Sequence, residues 1–192
     1  MKICVYCSSS SKINDKYFKA TENLAKEFIK EKINVVYGGG GAGLMGHLAD
    51  TIIDNGGKIK GISPRFMKDI EWTHKRLTDL ELVDTMHERK SKFLEGIDGI
   101  VALPGGCGTL DELIEVITFK RLGLFTKPII ILNVAGFYDP FKEMLEKCVD
   151  EKFMDDKHLD MWQFVDDYQD VIPSIKNAKP WNSDALNFAR KE

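Results

Sequence analysis

Short apolar runs alternate with longer stretches of mixed polarity along most of the chain. Residues 3–6, 34–37 and 99–103 are apolar runs with the length of buried strands. Stretches with helical spacing follow them, as in residues 15–32, where the apolar side chains form one stripe. Parallel strands need such crossover helices, which then cover both faces of the sheet. The pattern predicts an α/β fold of the Rossmann-like, doubly wound type, with helices on both faces of a parallel sheet.

The same pattern places the other elements and the limits of the domain. Residues 64–80 are polar and lack periodicity, which predicts a surface loop. We expect one nucleotide-binding domain at residues 1–176 and a C-terminal tail without a clear pattern at residues 177–192. Further strands are predicted at residues 58–62, 81–83 and 129–132. Three further helices are predicted to end near residues 55, 95 and 123. Two more are predicted at about residues 140–151 and 167–176.

The composition of the 192 residues is ordinary for a soluble globular chain, with 43% apolar and 30% charged residues. The formal net charge of −3 and the pI near 5.9 argue against a nucleic-acid or anionic-membrane partner. No apolar run approaches the ~18 residues of a membrane span. The strand predicted at residues 3–6 leaves no room for a signal peptide, so a cytoplasmic protein is expected.

The chemistry is concentrated in the sequence PGGCGTLDE at residues 104–112. This sequence follows the apolar run 99–103 and precedes a stretch of helical spacing, so it is predicted to be a strand-to-helix turn. Gly105, Gly106 and Gly108 let the backbone turn sharply and let a ligand approach the main chain. The free N–H groups and the dipole at the start of the helix suit a phosphate, with the Glu112 carboxylate expected beside it in the first turn.

An alternative interpretation of the same residues is purely structural. Thr109 and Glu112 have the spacing of a capping box, in which Thr109 is the N-cap and Glu112 bonds back to its N–H. A cap does not require glycine at positions 105, 106 and 108 at once, and this favours a ligand site. The cap and the ligand site can also coexist.

A second glycine run, at residues 38–46, also lies between a predicted strand and a helix. Gly41, Gly43 and Gly46 match the dinucleotide fingerprint G-x-G-x-x-G. The match is weak evidence, because the turn after the next strand has Arg65 instead of the acidic residue that binds a ribose. Arg65 would tolerate the phosphate of NADP, so an NAD(P) oxidoreductase stays an alternative. Two glycine turns on neighbouring strands favour a compact mononucleotide.

Cys4 and Cys7 have the spacing of a redox or metal-binding pair. A thioredoxin-type pair opens a helix, whereas Cys4 lies within the first predicted strand and serines follow Cys7. A zinc site needs two more ligands at a recognisable spacing, and the four histidines do not provide them. Buried thiols are the favoured interpretation, and no metal site is expected.

Four motifs together resemble the LOG (Lonely Guy) family of cytokinin-activating phosphoribohydrolases, also called lysine decarboxylase-like proteins. Residues 104–112 match the family pattern PGGxGTxxE, and MHERK at residues 86–90 matches its arginine motif. Residues 36–46 and 132–138 match two further motifs, so the resemblance extends from residue 3 to about residue 175. The chain departs from the usual family residues at Ser8, Cys107, Phe119 and Arg121, which affects the expected base preference more than the reaction.

The resemblance implies hydrolysis of the N-glycosidic bond of a nucleoside 5′-monophosphate to free base and ribose 5-phosphate, without a cofactor. AMP and N6-substituted, cytokinin-type AMP are the implied substrates. By similarity, Glu112 stabilises the positive charge that builds on the sugar, while Arg89 steers the substrate and keeps Glu112 ionised. The implied substrate-binding residues are Gly105, Gly106, Cys107, Gly108 and Thr109 in the turn, and Ser9, Gly40, Glu71, Met86, Lys90 and Thr118 elsewhere.

Other interpretations remain open from the residues alone. Arg89 and Lys90 also fit a solvated helix face. A non-catalytic nucleotide or cofactor carrier is an alternative on the same fold, because fold does not decide function. Nothing marks a pyridoxal-phosphate lysine, which argues against decarboxylation. The family resemblance implies a homodimer, and the apolar helix at residues 110–122 offers an interface as well as a core face.

Overall fold

In residues 1–69 and 73–182, which the computed structural model describes, seven strands form one parallel sheet. They are β1 (Lys2–Tyr6), β2 (Asn34–Tyr37), β3 (Ile59–Pro64), β4 (Leu80–Val83), β5 (Gly99–Ala102), β6 (Ile129–Leu132) and β7 (Gln163–Val165). Their order in the sheet is β4-β3-β2-β1-β5-β6-β7, and each neighbouring pair is parallel. The predicted α/β, doubly wound fold is confirmed.

Helices connect the strands and cover the sheet. Short 3₁₀ segments lie at Val134–Gly136, Asp156–Met161 and Tyr168–Asp170. The α-helices are α1 (Asp15–Lys30), α2 (Gly43–Asp54), α3 (Arg65–Asp69), α4 (Met86–Phe93), α5 (Cys107–Arg121), α6 (Asp139–Asp150) and α7 (Val171–Lys176).

The core lies in two layers because side chains alternate along each strand. In β1, Val5 packs into one layer and Tyr6 into the other. Helices α1, α2 and α7 close the first layer, and α4, α5 and α6 close the second. Both faces of the sheet are thus buried, which is why the strands are continuously apolar and the helices carry an apolar stripe.

The prediction of a surface loop at residues 64–80 is wrong in part. Helix α3 begins at Arg65, and the chain then returns to the sheet at Thr73, which forms an antiparallel bridge with Gly40. The His74 amide donates to the Gly39 carbonyl at 2.8 Å. These are backbone contacts across more than 30 residues of sequence, so local periodicity does not reveal them.

The region after α6 also differs from its prediction. The 3₁₀ segment Asp156–Met161 and strand β7 were not predicted, because both are too short for a periodic signal. The helix predicted at residues 167–176 is a 3₁₀ turn, capped by Asp167 on the Gln169 amide, followed by α7. The division into residues 1–176 and 177–192 stays a prediction, although the Trp181 indole donates to the Lys120 carbonyl at 2.7 Å.

Lys120 is an unusual member of the core. Its side chain extends inward from α5 and is only 3% exposed. The ammonium donates to the Lys127 carbonyl at 2.8 Å, and no carboxylate among the described residues forms an ion pair with it. Burial lowers the pKa of Lys120 from 10.5 to about 8, because the charged form is poorly solvated there.

This burial predicts a pH dependence of stability. Between pH ~8 and the ordinary lysine pKa near ~10.4, the unfolded chain binds more protons on this residue than the folded chain does. The contribution of Lys120 to the free energy of unfolding should therefore rise by ~1–3 kcal/mol across that window. We expect Lys120→Met to remove this gain and Lys147→Met, at an exposed site on α6, to keep it. Urea unfolding at several pH values measures both, and an unchanged gain in Lys120→Met would contradict the assignment.

Candidate active site

A cleft of about 910 Å³ opens at the carboxyl edge of the sheet. It lies where the chain leaves β1 and β5 toward opposite faces, the switch point at which doubly wound folds bind ligands. Its volume is within the range of small-molecule sites, roughly 300–1,000 Å³. The described lining is Val5, Cys7, Ser8, Ser9, Ser10, Gly38, Gly40, Gly41, Ala42, Met45, Asp50, Ser63, Met67, Thr73, His74, Lys75, Arg76, Met86, Arg89, Gly106, Cys107, Gly108, Thr109, Asp111 and Glu112.

Helix α5 begins at the cleft with unpaired amides. Gly106 is its N-cap in an extended conformation, and no side chain caps the first turn. Within the described part of the chain, the amides of residues 107–109 donate no hydrogen bond. A Cβ at Gly106 or Gly108 would meet no atom within 4 Å, so these residues are uncovered. Free amides at the positive end of a helix dipole form an anion site.

The capping-box interpretation is wrong, and so is the placement of Glu112 in the first turn. The helix starts at Cys107, which puts Thr109 at the third helical position and Glu112 in the second turn. Thr109 is 5% exposed and packs against Gly105, where a Cβ would clash with it. The small residues let the helix start earlier than its apolar spacing indicates, and they leave the Glu112 carboxylate free of the backbone.

The start of α2 uses its amides differently. The Gly43 amide donates to Ser11 Oγ and the Met45 amide to the Ser8 carbonyl, each at 3.2 Å. Gly43 has φ +61°, and a Cβ there would clash with the backbone of Ser9 and Ser10. Gly43, one of the three fingerprint glycines, thus serves to pack the loop after β1 onto α2. This use argues against a pyrophosphate at the same amides and therefore against the dinucleotide alternative.

Arg89 and Glu112 form a buried ion pair at the centre of the cleft. Arg89 Nη1 donates to Glu112 Oε1 at 2.7 Å, and the two side chains are 8% and 11% exposed. Glu112 Oε2 accepts no hydrogen bond from the described residues. One carboxylate oxygen is therefore fixed, and the other remains available to a ligand in the cleft.

The guanidinium of Arg89 is held by the ends of two strands. Nε donates to the Ile62 carbonyl at 3.0 Å and Nη2 to the Gly38 carbonyl at 3.4 Å. Its carbon lies 4.7 Å from the centroid of the Phe93 ring. A Cβ on Gly38 would clash with Arg89, so glycine at this position makes room for the pair. A buried, anchored arginine is not the solvated helix face that its sequence also allowed.

The pKa of Glu112 differs from the expectation. Burial raises the pKa of the carboxyl above its ordinary value, and the Arg89 guanidinium opposes this rise only in part. Arg89 lowers the pKa of the carboxyl, which is the direction predicted. Burial raises that pKa by more than Arg89 lowers it. A poorly solvated carboxylate is stabilised strongly by any cation that replaces the missing water.

The structure brings nine of the thirteen predicted site residues to the cleft and places three others outside its lining. Those in the lining are Ser9, Gly40, Met86, Arg89, Gly106, Cys107, Gly108, Thr109 and Glu112. Gly105 lies beneath Thr109 and is not in the lining, and Glu71 falls outside the described residues.

Lys90 and Thr118 are not in the lining of the cleft. The Lys90 ammonium lies 2.7 Å from Asp111 Oδ2 and 3.5 Å from Glu115 Oε1, so it braces α4 against α5. Thr118 is exposed, and its hydroxyl donates to the Ile114 carbonyl one turn earlier at 2.9 Å. A role in substrate binding stays a prediction for both residues.

Sequence reasoning missed one wall of the cleft, formed by residues 73–76 and Asp50 of α2. His74 accepts the Arg76 amide at Nδ1, 3.2 Å away, so its proton is on Nε2, which lies 3.1 Å from Asp50 Oδ1. Arg76 Nη1 donates to the same oxygen at 2.8 Å. The partners are far apart in sequence and follow no motif, so no signal was available.

The two cysteines of the first strand region are free and buried. Burial raises the pKa of both Cys4 and Cys7, which makes them poor nucleophiles and supports the buried-thiol interpretation. Across residues 1–69 and 73–182, no three His, Cys, Asp or Glu side chains are grouped to hold a metal ion. In those residues, no helix combines the length and the apolar character needed to cross a bilayer.

Comparison with known proteins identifies the family. A family model described as "Possible lysine decarboxylase" matches residues 45–175. The cytokinin riboside 5′-monophosphate phosphoribohydrolase LOG5 of Arabidopsis thaliana is 36% identical over 191 residues, which cover 100% of this chain and 84% of that protein. LOG2 of the same organism, also named a cytokinin riboside 5′-monophosphate phosphoribohydrolase, is 42% identical over 153 residues, covering 80% and 72%.

Solved structures show the same fold at lower identity. The molybdenum cofactor carrier protein of Chlamydomonas reinhardtii superposes with a TM-score of 0.68 at 16% identity, covering 92% of this chain and 96% of that one. At this identity the likeness concerns the fold alone. The family model and the plant relatives, in contrast, span most of the sequence, and the chain belongs to the LOG family of cytokinin riboside 5′-monophosphate phosphoribohydrolases.

Proposed function

We propose that this chain hydrolyses the N-glycosidic bond of nucleoside 5′-monophosphates to free base and ribose 5-phosphate. The proposed substrates are AMP and N6-substituted, cytokinin-type AMP. The observation that carries the proposal is the arrangement on α5, where unpaired amides and a carboxylate with one free oxygen lie one turn apart. The relatives named phosphoribohydrolases support the same reaction.

The 5′-phosphate is proposed to bind at the start of α5. The amides of residues 107–109 are the donors, and the hydroxyl of Ser9, across the cleft, is a further candidate. A nucleotide phosphate at this point leaves its ribose to extend along the helix. Glu112 lies three residues beyond Thr109, a rise of ~4.5 Å along the axis, so the carboxylate is within reach of the sugar.

Glu112 is proposed to stabilise the transition state. Departure of the base builds positive charge on the ribose ring, as in other glycoside hydrolyses, and a fixed carboxylate stabilises that charge. Burial makes the effect stronger, because the carboxylate lacks full solvation before the reaction. The free Oε2 is also placed to orient the attacking water or a ribose hydroxyl.

Arg89 is proposed to hold this carboxylate in one orientation. Three acceptors fix the guanidinium: the Ile62 and Gly38 carbonyls and Glu112 itself. Its charge also lowers the free energy of the ionised carboxylate that the reaction requires. The same cation attracts the phosphate into the cleft, so Arg89 supports both binding and chemistry.

The base is proposed to contact the methionines of the cleft. Met45, Met67 and Met86 all line it, and methionine side chains adapt to irregular apolar groups. A purine with an apolar N6 substituent fits such a wall. The predicted cytoplasmic location stays a prediction.

A panel of nucleoside monophosphates tests the reaction directly. We expect AMP and N6-substituted AMP to release free base and ribose 5-phosphate, detected by chromatography. The molybdenum cofactor carrier that shares the fold makes a non-catalytic carrier the second candidate. Binding of nucleotides without release of any base would favour that carrier function over hydrolysis.

Glu112→Gln should reduce kcat/KM for AMP at least ~100-fold, a loss of about 3 kcal/mol of transition-state stabilisation. Glutamine keeps the size of the side chain and a neutral acceptor for Arg89, so the fold should be retained, but the melting temperature should fall because the buried guanidinium loses its counter-charge. Glu115→Gln is the matched control on the same helix, because Glu115 pairs with Lys90 outside the cleft. Parental turnover in Glu112→Gln would exclude the proposed role.

Arg89→Gln should raise the pKa of the Glu112 carboxyl further, because burial remains and the opposing cation is gone. Titration of the glutamate carboxyl carbons by 13C NMR measures this pKa without any need for activity. Lys90→Gln should raise it less, since Lys90 lowers the pKa of Glu112 less than Arg89 does. The acid limb of residual activity should move to higher pH in parallel. A Glu112 pKa that falls or stays constant in Arg89→Gln would refute this account.

We also propose a homodimer. Large apolar side chains are exposed on α5, on the loop after it, on α6 and on the turn that follows α6, and both helices contact the 3₁₀ segment Asp156–Met161. Monomers rarely leave such patches uncovered, which supports an interface there. The exposed side chains are Ile114, Leu122, Leu124, Met144 and Phe153.

Light scattering after size exclusion should give the parent about twice the 21.8 kDa of one chain. Leu124→Asp places a charge in the patch and should shift the mass toward a single chain, since burial of an unpaired carboxylate is unfavourable. Phe66→Asp, at an exposed apolar position on α3, should keep the parental mass. A monomeric parent would rule out the proposed assembly.

A further inference from the structure

The motif at residues 132–138 has no role in the reaction described above. Its buried polar side chains, Asn133 and Tyr138, are nevertheless hydrogen-bonded. Asn133 and Tyr138 are 7% and 1% exposed. The Asn133 side chain accepts the Tyr138 amide at 2.7 Å and donates to Asp139 at 2.8 Å and Asp166 at 3.0 Å. This network fixes where the Tyr138 ring enters the core.

The Tyr138 hydroxyl reaches the residue that precedes the glycine turn. It donates to the Leu103 carbonyl at 2.7 Å. The pairing of β5 with β6 ends at Ala102, so this carbonyl lies beyond the ladder and has no strand partner. From the other side, the Leu103 amide donates to the Tyr6 carbonyl at 2.8 Å. Leu103 is therefore fixed from two sides, by the last residue of β1 and by the N-cap residue of α6.

The backbone of residues 103–105 connects this fixed carbonyl to the anion site at the start of α5. The Leu103 carbonyl belongs to the peptide plane shared with Pro104, whose ring fixes the next φ angle. The Pro104 carbonyl accepts the Ser8 amide at 3.3 Å. Gly105 then packs under Thr109, and the free amides of α5 follow at once. The orientation of the Leu103–Pro104 peptide thus sets the direction of those amides.

We propose that Tyr138 is a positioning residue for phosphate binding, acting through its hydroxyl on the Leu103 carbonyl. The inference rests on the proposed function, because the phosphate is the ligand that the amides of α5 would hold. Tyr138 does not line the cleft and does not touch the substrate. Loss of its hydroxyl should weaken binding of the phosphate equally in the ground state and the transition state, which raises KM and leaves kcat unchanged.

Tyr138→Phe removes the hydroxyl and keeps the ring. We expect KM for AMP to rise about tenfold while kcat changes less than about twofold, since small misplacements of a binding group have effects of this size. Inhibition by inorganic phosphate should weaken by a similar factor. The melting temperature should fall by about 3–6 °C, because the Leu103 carbonyl loses its donor.

Two control variants separate positioning from stability. Tyr17→Phe removes a hydroxyl from the ring that packs against Phe137, and the structure gives that hydroxyl no hydrogen bond within the described residues. Ile175→Val weakens the core on the far layer and should lower the melting temperature alone. Both should keep the parental KM and phosphate inhibition.

Pro104→Ala offers a second route to the same effect if Tyr138→Phe does not fold. It frees the φ angle of the same turn and leaves the hydrogen bond from the Tyr138 hydroxyl to the Leu103 carbonyl in place, so it should also raise KM at constant kcat. A stability loss in Tyr138→Phe with parental KM and parental phosphate inhibition would overturn the inference alone. A parent that neither binds phosphate nor releases base would overturn the proposed function, and the inference with it.

Discussion

The buried ion pair of Arg89 and Glu112 is the interaction on which the cleft depends. Neither charge is tolerable alone in this position, since removing one partner of a buried pair typically costs about 3–5 kcal/mol. The pair also joins α4 to α5. Arg89 in addition donates hydrogen bonds to the Gly38 carbonyl, just after β2, and to the Ile62 carbonyl of β3. One electrostatic requirement therefore fixes the relative position of four elements around the ligand site.

The two glycine runs have different structural roles around the cleft. Gly38 has no side chain because the Arg89 guanidinium occupies that space. Gly43 lets the loop after β1 pack against α2, whose first amides are then satisfied by Ser8 and Ser11. The run before α5, in contrast, leads into a helix start where the amides of residues 107–109 donate no hydrogen bond to the described residues. A glycine-rich sequence thus does not identify an anion site until the partners of the following amides are known.

The order of β1 to β6 with most of their helices, and most of the cleft, could be predicted from sequence, because buried strands and strand-to-helix turns have local patterns. The start of α5 could not, since Thr109 and Glu112 satisfy the capping-box spacing equally well in a helix that begins elsewhere. The wall at Asp50 and His74 depends on contacts between distant residues. The pKa of Glu112 depends on the balance between burial and the Arg89 charge, and both depend on the three-dimensional structure.

The presence of Glu112 itself bears on the choice between a carrier and an enzyme. The amides of α5 attract an anion, and a carboxylate one turn away repels it, so the carboxylate weakens binding of any phosphorylated ligand. A protein that only holds its ligand would bind better without this group. An enzyme recovers the loss when positive charge develops on the sugar, because the same carboxylate then stabilises the transition state more than the ground state. The arrangement is unfavourable for storage and favourable for hydrolysis.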